Sequence, residues 1–290
     1  MNHMLCFGCG YSSTFTAQKI LRSRNWKVTG TTRTIESRNI LAEKGIKGVL
    51  WPDEPLDATL QPSTHWLVSI PPKYGNDIVI EHLEQVPEDQ FTNLRWIGYF
   101  STTAVYGDHG GAWVDESTPV NPTTQRGKFR VKAENAWASF AQRLGVPLCI
   151  FRLAGIYGPG RGPLEQLRKG NRRKIVKPDQ YFNRIHVEDI AGVVIKAIAN
   201  PSSSGIFNLC DNLPERSDKV IDYAADLLGL PKPPGIKFED ADLSEMARSF
   251  YSESKRVRNL RIKKHLGYNL IYPDYKKGLL VQSQILGNQS

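Results

Sequence analysis

Two arginines in the run RGKFR, residues 126–130, have a spacing that could build an anion site. Arg126 and Arg130 are four residues apart, so a helix would place them on one face, whereas Lys128 would point elsewhere. A guanidinium stays protonated in proteins, so such a pair can stabilise an oxyanion, a carboxylate or a phosphate but cannot act as a general acid or base. The alternative is a solvent-exposed basic face, which the run by itself favours.

The N-terminal segment LCFGCGYSSTFTAQ has the glycine spacing of a dinucleotide-binding turn. Gly8-x-Gly10-x-x-Ser13 follows an apolar run and opens a helical pattern. Gly8 allows a tight turn, Gly10 lets the backbone approach a pyrophosphate at the helix N-terminus, and Ser13 is small enough to replace the third glycine. We therefore predict cofactor contacts from Gly8, Gly10, Tyr11, Ser12 and Ser13.

The end of the second predicted strand, GTTR at residues 30–33, bears on the choice of cofactor. Dinucleotide sites usually place Asp or Glu about 20 residues after the glycines, where it binds the ribose 2′-hydroxyl. Arg33 lies there instead, and Glu36 comes too late. Because a guanidinium suits a 2′-phosphate, the sequence predicts NADP(H) rather than NAD(H). The alternative is an exposed loop arginine.

Cysteine and histidine spacing predicts no metal site and no disulfide framework. Cys6 and Cys9 straddle the glycine turn without a second ligand pair nearby, Cys149 and Cys210 lie in apolar runs, and the six histidines are scattered. We interpret the four cysteines as structural, which fits a reduced cytoplasmic setting. The N-terminus shows no secretory signal, and no apolar stretch approaches the ~20 residues of a membrane span.

Strand and helix patterns alternate along the first half of the chain. Such alternation predicts an α/β fold, with a Rossmann-type doubly wound parallel sheet and a smaller C-terminal substrate lobe. We predict a dinucleotide-binding core over residues 1–160, to which 186–209 return, and a substrate-side lobe over 161–185 and 210–290. The run RVRNLRIKKHLG, residues 256–267, predicts a helix that ends near Gly267.

The net charge of +9 comes from scattered cations with clusters at 126–132, 168–174 and 255–264. This charge could attract nucleic acid, an anionic membrane or a phosphorylated small molecule. The sequence has no zinc-finger spacing, aromatic RNA-binding signature or long basic tail. It therefore favours a small anionic ligand, with no nucleic-acid or membrane partner.

Several motifs together resemble the extended short-chain dehydrogenase/reductase superfamily, and in particular its atypical epimerase/dehydratase-like branch. They are the GCGYSS turn, STTAVYG (101–107), DESTPVNP (115–122), RLAGIYGPGR (152–161), RIHVEDIA (184–191) and GIFNLCD (205–211). The resemblance runs through most of the chain. It implies an NAD(P)-dependent oxidoreductase, epimerase or dehydratase with an altered active site.

The resemblance assigns candidate catalytic residues. Thr102 would hydrogen-bond the reacting oxygen. The superfamily's catalytic Tyr-x-x-x-Lys sequence falls on RGKFR, where Gly127 and Glu134 keep the surrounding pattern, so Arg126 replaces the tyrosine and Arg130 the lysine. Arg130 would still bind the nicotinamide ribose, and Arg126 would hold negative charge. This register favours a role in a site over a solvent-exposed face.

Another group must then move the proton. We rank Tyr106 first for this role and His186 second. A lone histidine is more often structural than catalytic, and His186 also matches a recurring residue at the lobe boundary.

The resemblance also extends the predicted binding residues. Ser69 and Pro71 would lie on the adenine–ribose side of the cofactor, and Tyr157 and Pro159 near the nicotinamide. The predicted substrate contacts are Asn183, Arg184 and His186, for which packing between the lobes is the alternative.

Two hypotheses of function follow. The first is an NADP(H)-dependent epimerase/dehydratase-like oxidoreductase acting on a polar anionic, nucleotide-sugar-like substrate, which Thr102, the YGP loop and the basic lobe favour. The second is a non-catalytic NADP(H)-binding or sensing protein, which the altered RGKFR sequence favours. The helix over Lys128–Leu144 lies where many relatives dimerise, so the resemblance also implies a homodimer.

Overall fold

The computed structural model describes residues 1–170, 173–200, 202 and 204–287. Asn171 and Arg172, in the basic cluster at 168–174, lie outside the described residues. The strands are β1 (Asn2–Phe7), β2 (Trp26–Thr32), β3 (Lys47–Leu50), β4 (His65–Val68), β5 (Trp96–Thr102), β6 (Trp113–Val114), β7 (Leu148–Leu153), β8 (Gly155–Tyr157), β9 (Lys174–Val176), β10 (Arg184–His186), β11 (Gly205–Leu209), β12 (Gly235–Lys237) and β13 (Arg256–Val257). The helices are α1 (Tyr11–Leu21), α2 (Ile35–Glu43), α3 (Asp57–Leu60), α4 (Ile78–Leu83), α5 (Gln125–Leu144), α6 (Pro163–Arg168), α7 (Val187–Ala199), α8 (Ser217–Leu227), α9 (Glu245–Phe250), α10 (Leu260–Leu266) and α11 (Tyr275–Gly287).

Seven parallel strands form the central sheet in the order β11-β7-β5-β4-β1-β2-β3. The chain moves outward from β1 to β2 and β3, then returns to β4 on the other side of β1. The predicted doubly wound fold is therefore confirmed. In such a sheet the crevice for ligands opens at the carboxyl ends of the strands, where the strand order reverses.

The sheet is buried on both faces by apolar side chains. One layer includes Met4, Phe151 and Phe207, and packs under α1 and α7. The other includes Trp66 and Trp137, and packs under α4 and α5. Strands covered on both faces need near-continuous apolar runs, which explains why patterns such as HWLV at β4 do not alternate.

The smaller lobe has its own apolar core beside the carboxyl ends of the strands. Tyr157, Leu164, Val220 and Leu279 pack together there, drawn from β8, α6, α8 and α11. Short parallel pairs, β9 with β12 and β8 with β10, complete this part.

The predicted helix over 256–267 is wrong in its first four residues. Residues Arg256–Val257 form β13, which pairs with β6, and the helix begins only at Leu260. Its end matches the pattern, because Gly267 adopts a φ of 59° and caps α10. Within the described residues, no helix combines the length and apolar character that a membrane crossing requires.

Candidate cofactor and substrate cleft

A cleft of about 880 Å³ runs from the glycine turn to the smaller lobe. Its floor is the carboxyl edge of the sheet, where β5 ends at Thr102 and β7 ends at Leu153. One wall is the start of α1, and the opposite wall is built from lobe residues such as Phe182. The cleft therefore lies where a doubly wound sheet binds its ligands.

The glycine turn forms the first end of this cleft. Gly8 adopts a φ of 84°, and its N–H donates to the Thr31 hydroxyl at 2.7 Å, so it supports the turn from beneath. Gly10, Tyr11, Ser12 and Ser13, which are four of the predicted cofactor contacts, line the cleft itself. The Ser13 side chain is 1 % exposed, and among the described residues its hydroxyl finds no hydrogen-bond partner. An unsatisfied hydroxyl beside a helix N-terminus fits the oxygen atoms of a bound pyrophosphate.

The adenine–ribose side is only partly enclosed. Ser69 and Pro71 line the cleft, and the Ser69 hydroxyl donates to the Gly8 carbonyl oxygen, which ties the end of β4 to the turn. Arg33 directly follows β2, is exposed, and lies outside the cleft lining. Arg33 thus stands at the carboxyl edge of the sheet, one strand from β1.

Local packing brings the start of α5 against the Thr102 turn. The Thr124 hydroxyl caps α5 by accepting from the Gly127 N–H at 3.2 Å. A Cβ at Gly127 would lie 3.0 Å from the Ala104 carbonyl oxygen and 2.7 Å from Pro122. Only a glycine therefore allows this approach, which is why the glycine of the motif matters even without the tyrosine before it.

Thr102, Arg126 and Arg130 consequently line the same cleft. Arg126 is exposed, and its guanidinium lies 5.5 Å from the ring centroid of Phe250. Arg130 is half-buried and fixed on the sheet, because its Nη1 donates to the Phe100 carbonyl oxygen at 2.8 Å and to a tyrosine hydroxyl of β5 at 3.1 Å. Arg126 is thus free to meet a ligand, whereas Arg130 is held by the protein.

The two predicted proton carriers are not in the cleft lining. Tyr106 is completely buried, donates to the Asn208 side chain at 2.8 Å, and its burial raises the pKa to about 12. His186 is 2 % exposed and caps α7 by accepting from the Glu188 N–H at 3.2 Å. Its ring packs 3.8 Å from that of Tyr272, and burial lowers its pKa to about 4. The structure contradicts both predictions of a proton carrier, because packing directs these side chains into the core, and it places His186 outside the cleft lining where a substrate contact was predicted.

Two of the predicted substrate contacts lie at the lobe boundary, and they differ in how far the protein itself uses their side chains. Asn183 and Arg184 line the cleft. The Asn183 amide is committed to the segment around β13, since it donates to the Lys255 carbonyl oxygen at 2.9 Å and accepts from the Val257 N–H at 2.7 Å. Arg184 donates from Nη1 to two backbone carbonyl oxygens, each at 3.0 Å, and burial lowers its pKa. The packing alternative describes Asn183 well, whereas Arg184 also presents charge to the cleft.

Tyr157 ends β8, and Pro159 lies in the loop that follows and contacts the start of α1. Tyr157 lines the cleft, but its hydroxyl donates to the Asp274 carbonyl oxygen at 3.3 Å, away from the turn. Pro159 lies outside the lining and contributes a carbonyl oxygen, which accepts from the Tyr11 hydroxyl at 3.0 Å.

A buried ion pair in the cleft wall escaped the sequence reasoning. Lys255 donates from Nζ to Glu253 at 2.8 Å and to the Gly107 carbonyl oxygen at 2.6 Å. Glu253 also accepts from the Thr123 hydroxyl at 2.5 Å. The pair thereby joins the loop after Thr102 to the residues that start α5. In the sequence Lys255 only begins a basic cluster, and no pattern indicates that it is buried.

A second ion pair supports the floor from below. Glu134 accepts from Arg152 at 2.7 and 3.1 Å, with both side chains about 5 % exposed. Glu134 also accepts from the hydroxyl of Ser101, the residue before Thr102. The glutamate that matched the family pattern therefore acts on the structure of the site, through β5, rather than on a ligand.

Positive charge dominates the cleft. Among its described lining residues there are five cations and one carboxylate, namely Arg126, Arg130, Arg161, Arg184 and Lys255 against Glu253. Arg161 is a further residue that the sequence reasoning passed over, because it stands in a glycine- and proline-rich loop. A cleft with this balance is suited to ligands that carry several negative charges.

The chain is similar in sequence and in fold to several known proteins. Residues 90–210 match the model of the NAD dependent epimerase/dehydratase family. The chain therefore contains a segment of the NAD dependent epimerase/dehydratase family. A conserved protein of unknown function from Silicibacter pomeroyi DSS is 46 % identical, with a TM-score of 0.92, over 98 % of this chain and 99 % of that one.

Two more distant structures share the fold. UDP-glucuronic acid 4-epimerase from Bacillus cereus, in complex with NAD, has a TM-score of 0.78 at 16 % identity, over 99 % of each chain. Human epimerase family protein SDR39U1 (isoform 2), with NADPH, has a TM-score of 0.75 at 18 % identity, over 97 % of this chain and 99 % of that one. The family binds NAD(P), and these structures include one complex with each cofactor.

Proposed function

We propose that this protein is an NADP(H)-dependent oxidoreductase of the epimerase/dehydratase type, acting on a polar anionic substrate. The observation that carries the proposal is a single cleft that joins the glycine turn to Thr102, under a wall rich in cations. One end suits a dinucleotide and the other suits a second, negatively charged molecule. Such a pairing is what hydride transfer between cofactor and substrate requires.

The cofactor end supports NADP(H). The backbone N–H groups after Gly10, together with the unsatisfied Ser13 hydroxyl, would hold the pyrophosphate. Arg33 stands where NAD-binding sites place an acidic residue, and its guanidinium would pair with the 2′-phosphate. When bound, the nicotinamide would supply or accept a hydride in the cleft.

The substrate end supports an anionic ligand of the nucleotide-sugar type. Arg126 and Arg184 both line the cleft, and Tyr181 and Phe182 add aromatic surface on which a base could stack. A structural neighbour is an epimerase of UDP-glucuronic acid, which carries a diphosphate and a carboxylate. We propose the same class of substrate for this chain.

The chain's own residues would divide the remaining chemistry. Thr102 would hydrogen-bond the reacting oxygen, and Arg126 would stabilise the negative charge that develops on it. Neither group can supply a proton at neutral pH. Within the described cleft lining, Lys255 and Glu253 form a buried ion pair that is tied to both the Thr102 loop and the start of α5, so it would hold these two groups in place.

One observation favours the alternative of a non-catalytic NADP(H)-binding protein. Arg130 stands in the register of a catalytic lysine, yet it donates two hydrogen bonds to β5. A side chain held in this way stabilises the cofactor-facing wall whether or not a reaction takes place.

Calorimetric titration tests the cofactor assignment. NADPH should bind wild type at least about tenfold more tightly than NADH, since a charged hydrogen-bonded pair at the 2′-phosphate contributes this order of energy. Arg33→Ala should abolish the preference. Arg24→Ala is the matched control, because Arg24 is exposed at the opposite end of β2. Equal affinity in wild type, or an equal loss in both variants, would contradict the assignment.

Turnover separates the two functions. Wild type is assayed with NADPH and NADP⁺ against UDP-glucuronic acid, other sugar nucleotides and small oxo acids. Faster turnover of an anionic compound from this set than of its neutral analogue supports the oxidoreductase function. Tight NADPH binding with no turnover across this set supports the non-catalytic alternative.

A further inference from the structure

A contact crosses the mouth of the cleft at its cofactor end. Tyr11 is the first residue of α1, directly after the glycine turn, and its hydroxyl donates to the Pro159 carbonyl oxygen at 3.0 Å. The guanidinium of Arg161 lies 5.4 Å from the centroid of the Tyr11 ring. Residues separated by about half the chain are thus brought together over the place where α1 begins.

The loop that carries Arg161 is held in shape by its own backbone. Gly158 and Arg161 exchange two hydrogen bonds, each at 2.9 Å. Gly158 adopts a φ of 148°, and a Cβ at this position would lie 2.8 Å from the Tyr11 hydroxyl and 2.7 Å from Val187. The glycine therefore permits the crossing contact, and the paired backbone fixes where Arg161 stands.

The groups beneath this contact are those of an anion site. Ser12 and Ser13 line the cleft at the start of α1, and the buried Ser13 hydroxyl has no partner among the described residues. Arg161 also lines the cleft and is exposed, so its guanidinium can turn toward a ligand without breaking an ion pair that the structure describes. The N–H groups of a helix start, an orphan hydroxyl and a guanidinium together match the oxygen atoms of a diphosphate.

We propose that Tyr11 and Arg161 form a clasp over the cofactor's pyrophosphate. Arg161 pairs with the phosphate oxygens, and the hydrogen bond from Tyr11 to Pro159 closes the cleft above them. This inference rests on the proposed binding of a dinucleotide. It goes further in assigning the second half of the phosphate site to a loop outside the glycine turn, and in making release of the cofactor depend on opening that loop.

Two variants separate the charge from the closure. Arg161→Gln removes the cation but keeps a polar side chain, and should weaken NADPH about tenfold in calorimetry, because one charge-assisted pair is lost. Tyr11→Phe keeps the ring and removes only the hydroxyl. It should raise the NADPH dissociation rate in stopped-flow measurements severalfold and leave the association rate within about twofold, because most changes in affinity act through dissociation.

Matched controls come from the same chain. Arg168→Gln alters an exposed arginine of α6 outside the cleft lining, and Tyr74→Phe alters a tyrosine that is 83 % exposed. Both should bind NADPH as wild type does. Melting temperatures of the ligand-free proteins, expected to agree within ~2 °C as for other surface changes, show that each variant folds.

A cofactor fragment locates the contact. The 2′-phosphate analogue of ADP-ribose keeps the diphosphate but lacks the nicotinamide, so Arg161→Gln should weaken it as much as NADPH. Unchanged affinity for this fragment, or wild-type affinity and dissociation rates in both clasp variants, would overturn the clasp while leaving dinucleotide binding intact. Failure of wild type to bind NADPH, NADH or the fragment would overturn the proposed function itself.

Discussion

The two ends of the cleft are built in different ways. At the glycine-turn end, four consecutive residues from Gly10 to Ser13 line the cleft. At the lobe-facing end, side chains arrive from four separate segments, represented by Arg126, Arg184, Phe250 and Lys255. A site made from one short segment leaves its signature in the sequence, whereas a site assembled across the fold leaves only scattered residue types.

Two cations of the lobe-facing end are held in different ways. At the lobe-facing end, Arg126 is exposed beside an aromatic ring, while Lys255 is buried and paired. One cation is therefore free to serve a ligand, and the other holds the wall together as well as facing the cleft. Substitutions can test whether these roles are distinct.

The largest expected effect is that of Arg126→Ala on turnover. Loss of one preorganised donor to a developing negative charge typically costs ~10²–10³ in rate. NADPH affinity should stay within about twofold, because the glycine turn is at the other end of the cleft. Steady-state kinetics and calorimetry measure the two quantities, and Lys128→Ala, an exposed lysine of the same helix outside the cleft lining, is the control. An equal loss in both variants would contradict a special role for Arg126.

The next effect concerns stability. Lys255→Met leaves Glu253 buried without its cation, which should lower the free energy of unfolding by ~3–5 kcal/mol in urea denaturation. Lys232→Met breaks an exposed pair with Asp226 and should cost less than ~1 kcal/mol. Adding Glu253→Gln to Lys255→Met should restore much of the loss, because no buried charge is then unpaired. Equal destabilisation by the two lysine substitutions would show that the cleft pair is no tighter than a surface pair.

A smaller effect is expected from restoring the superfamily pair. Arg126→Tyr with Arg130→Lys replaces a permanent cation by a neutral phenol, so native turnover should fall by about tenfold or more. Parallel assays of wild type and the double variant on sugar nucleotides and small carbonyl compounds measure the change. Absent turnover in wild type together with new carbonyl reduction in the double variant would favour the non-catalytic alternative.

A further prediction concerns the pH dependence of stability at the buried Asp211. Burial, aided by Asp274 and Asp189 and opposed by Arg184, raises the pKa of the Asp211 carboxyl to about 7. An unfolded aspartate titrates near ~4, so the folded state binds the extra proton between these values. Stability contributed by the neutral carboxyl is therefore lost as the pH rises toward and through 7.

Asp211→Asn should remove this contribution. Relative to wild type, the variant should gain stability between pH 5 and pH 8, as measured by urea denaturation at each pH. Taking the difference between variant and wild type cancels the opposite trend of His65 and His186, whose pKa values burial lowers to about 4. A difference that does not change with pH would contradict a raised pKa for the Asp211 carboxyl.

The fold and the glycine-turn end were accessible from the sequence for physical reasons. Apolar runs such as HWLV and LCIFRL indicate strands that are covered on both faces. Gly8 indicates a turn, because its backbone adopts a positive φ that other residues rarely adopt. The start of α5 was predicted three residues late, at Lys128 rather than Gln125, although Thr124 caps the helix through its side chain. These features depend on neighbours along the chain.

The incorrect predictions concern residues whose surroundings are set by distant segments of the chain. Tyr106 has the chemistry of a proton carrier, but Asn208 and the core around it take its hydroxyl out of the cleft. His186 is similarly drawn in between Tyr157 and Tyr272. Periodicity cannot reveal such partners, because it reports which face of an element is apolar and not what will cover it.

The sequence by itself determined the parallel doubly wound sheet, the position of its glycine turn and the shared helical face of Arg126 and Arg130. Each follows from patterns over a few neighbouring residues, where backbone sterics and helix phase act. Only the tertiary structure decided which cations face the cleft, that Lys255 pairs with Glu253 in its wall, and that Arg161 meets Tyr11 at its mouth. Those arrangements depend on burial and on contacts between residues far apart in the chain, and no local pattern encodes them.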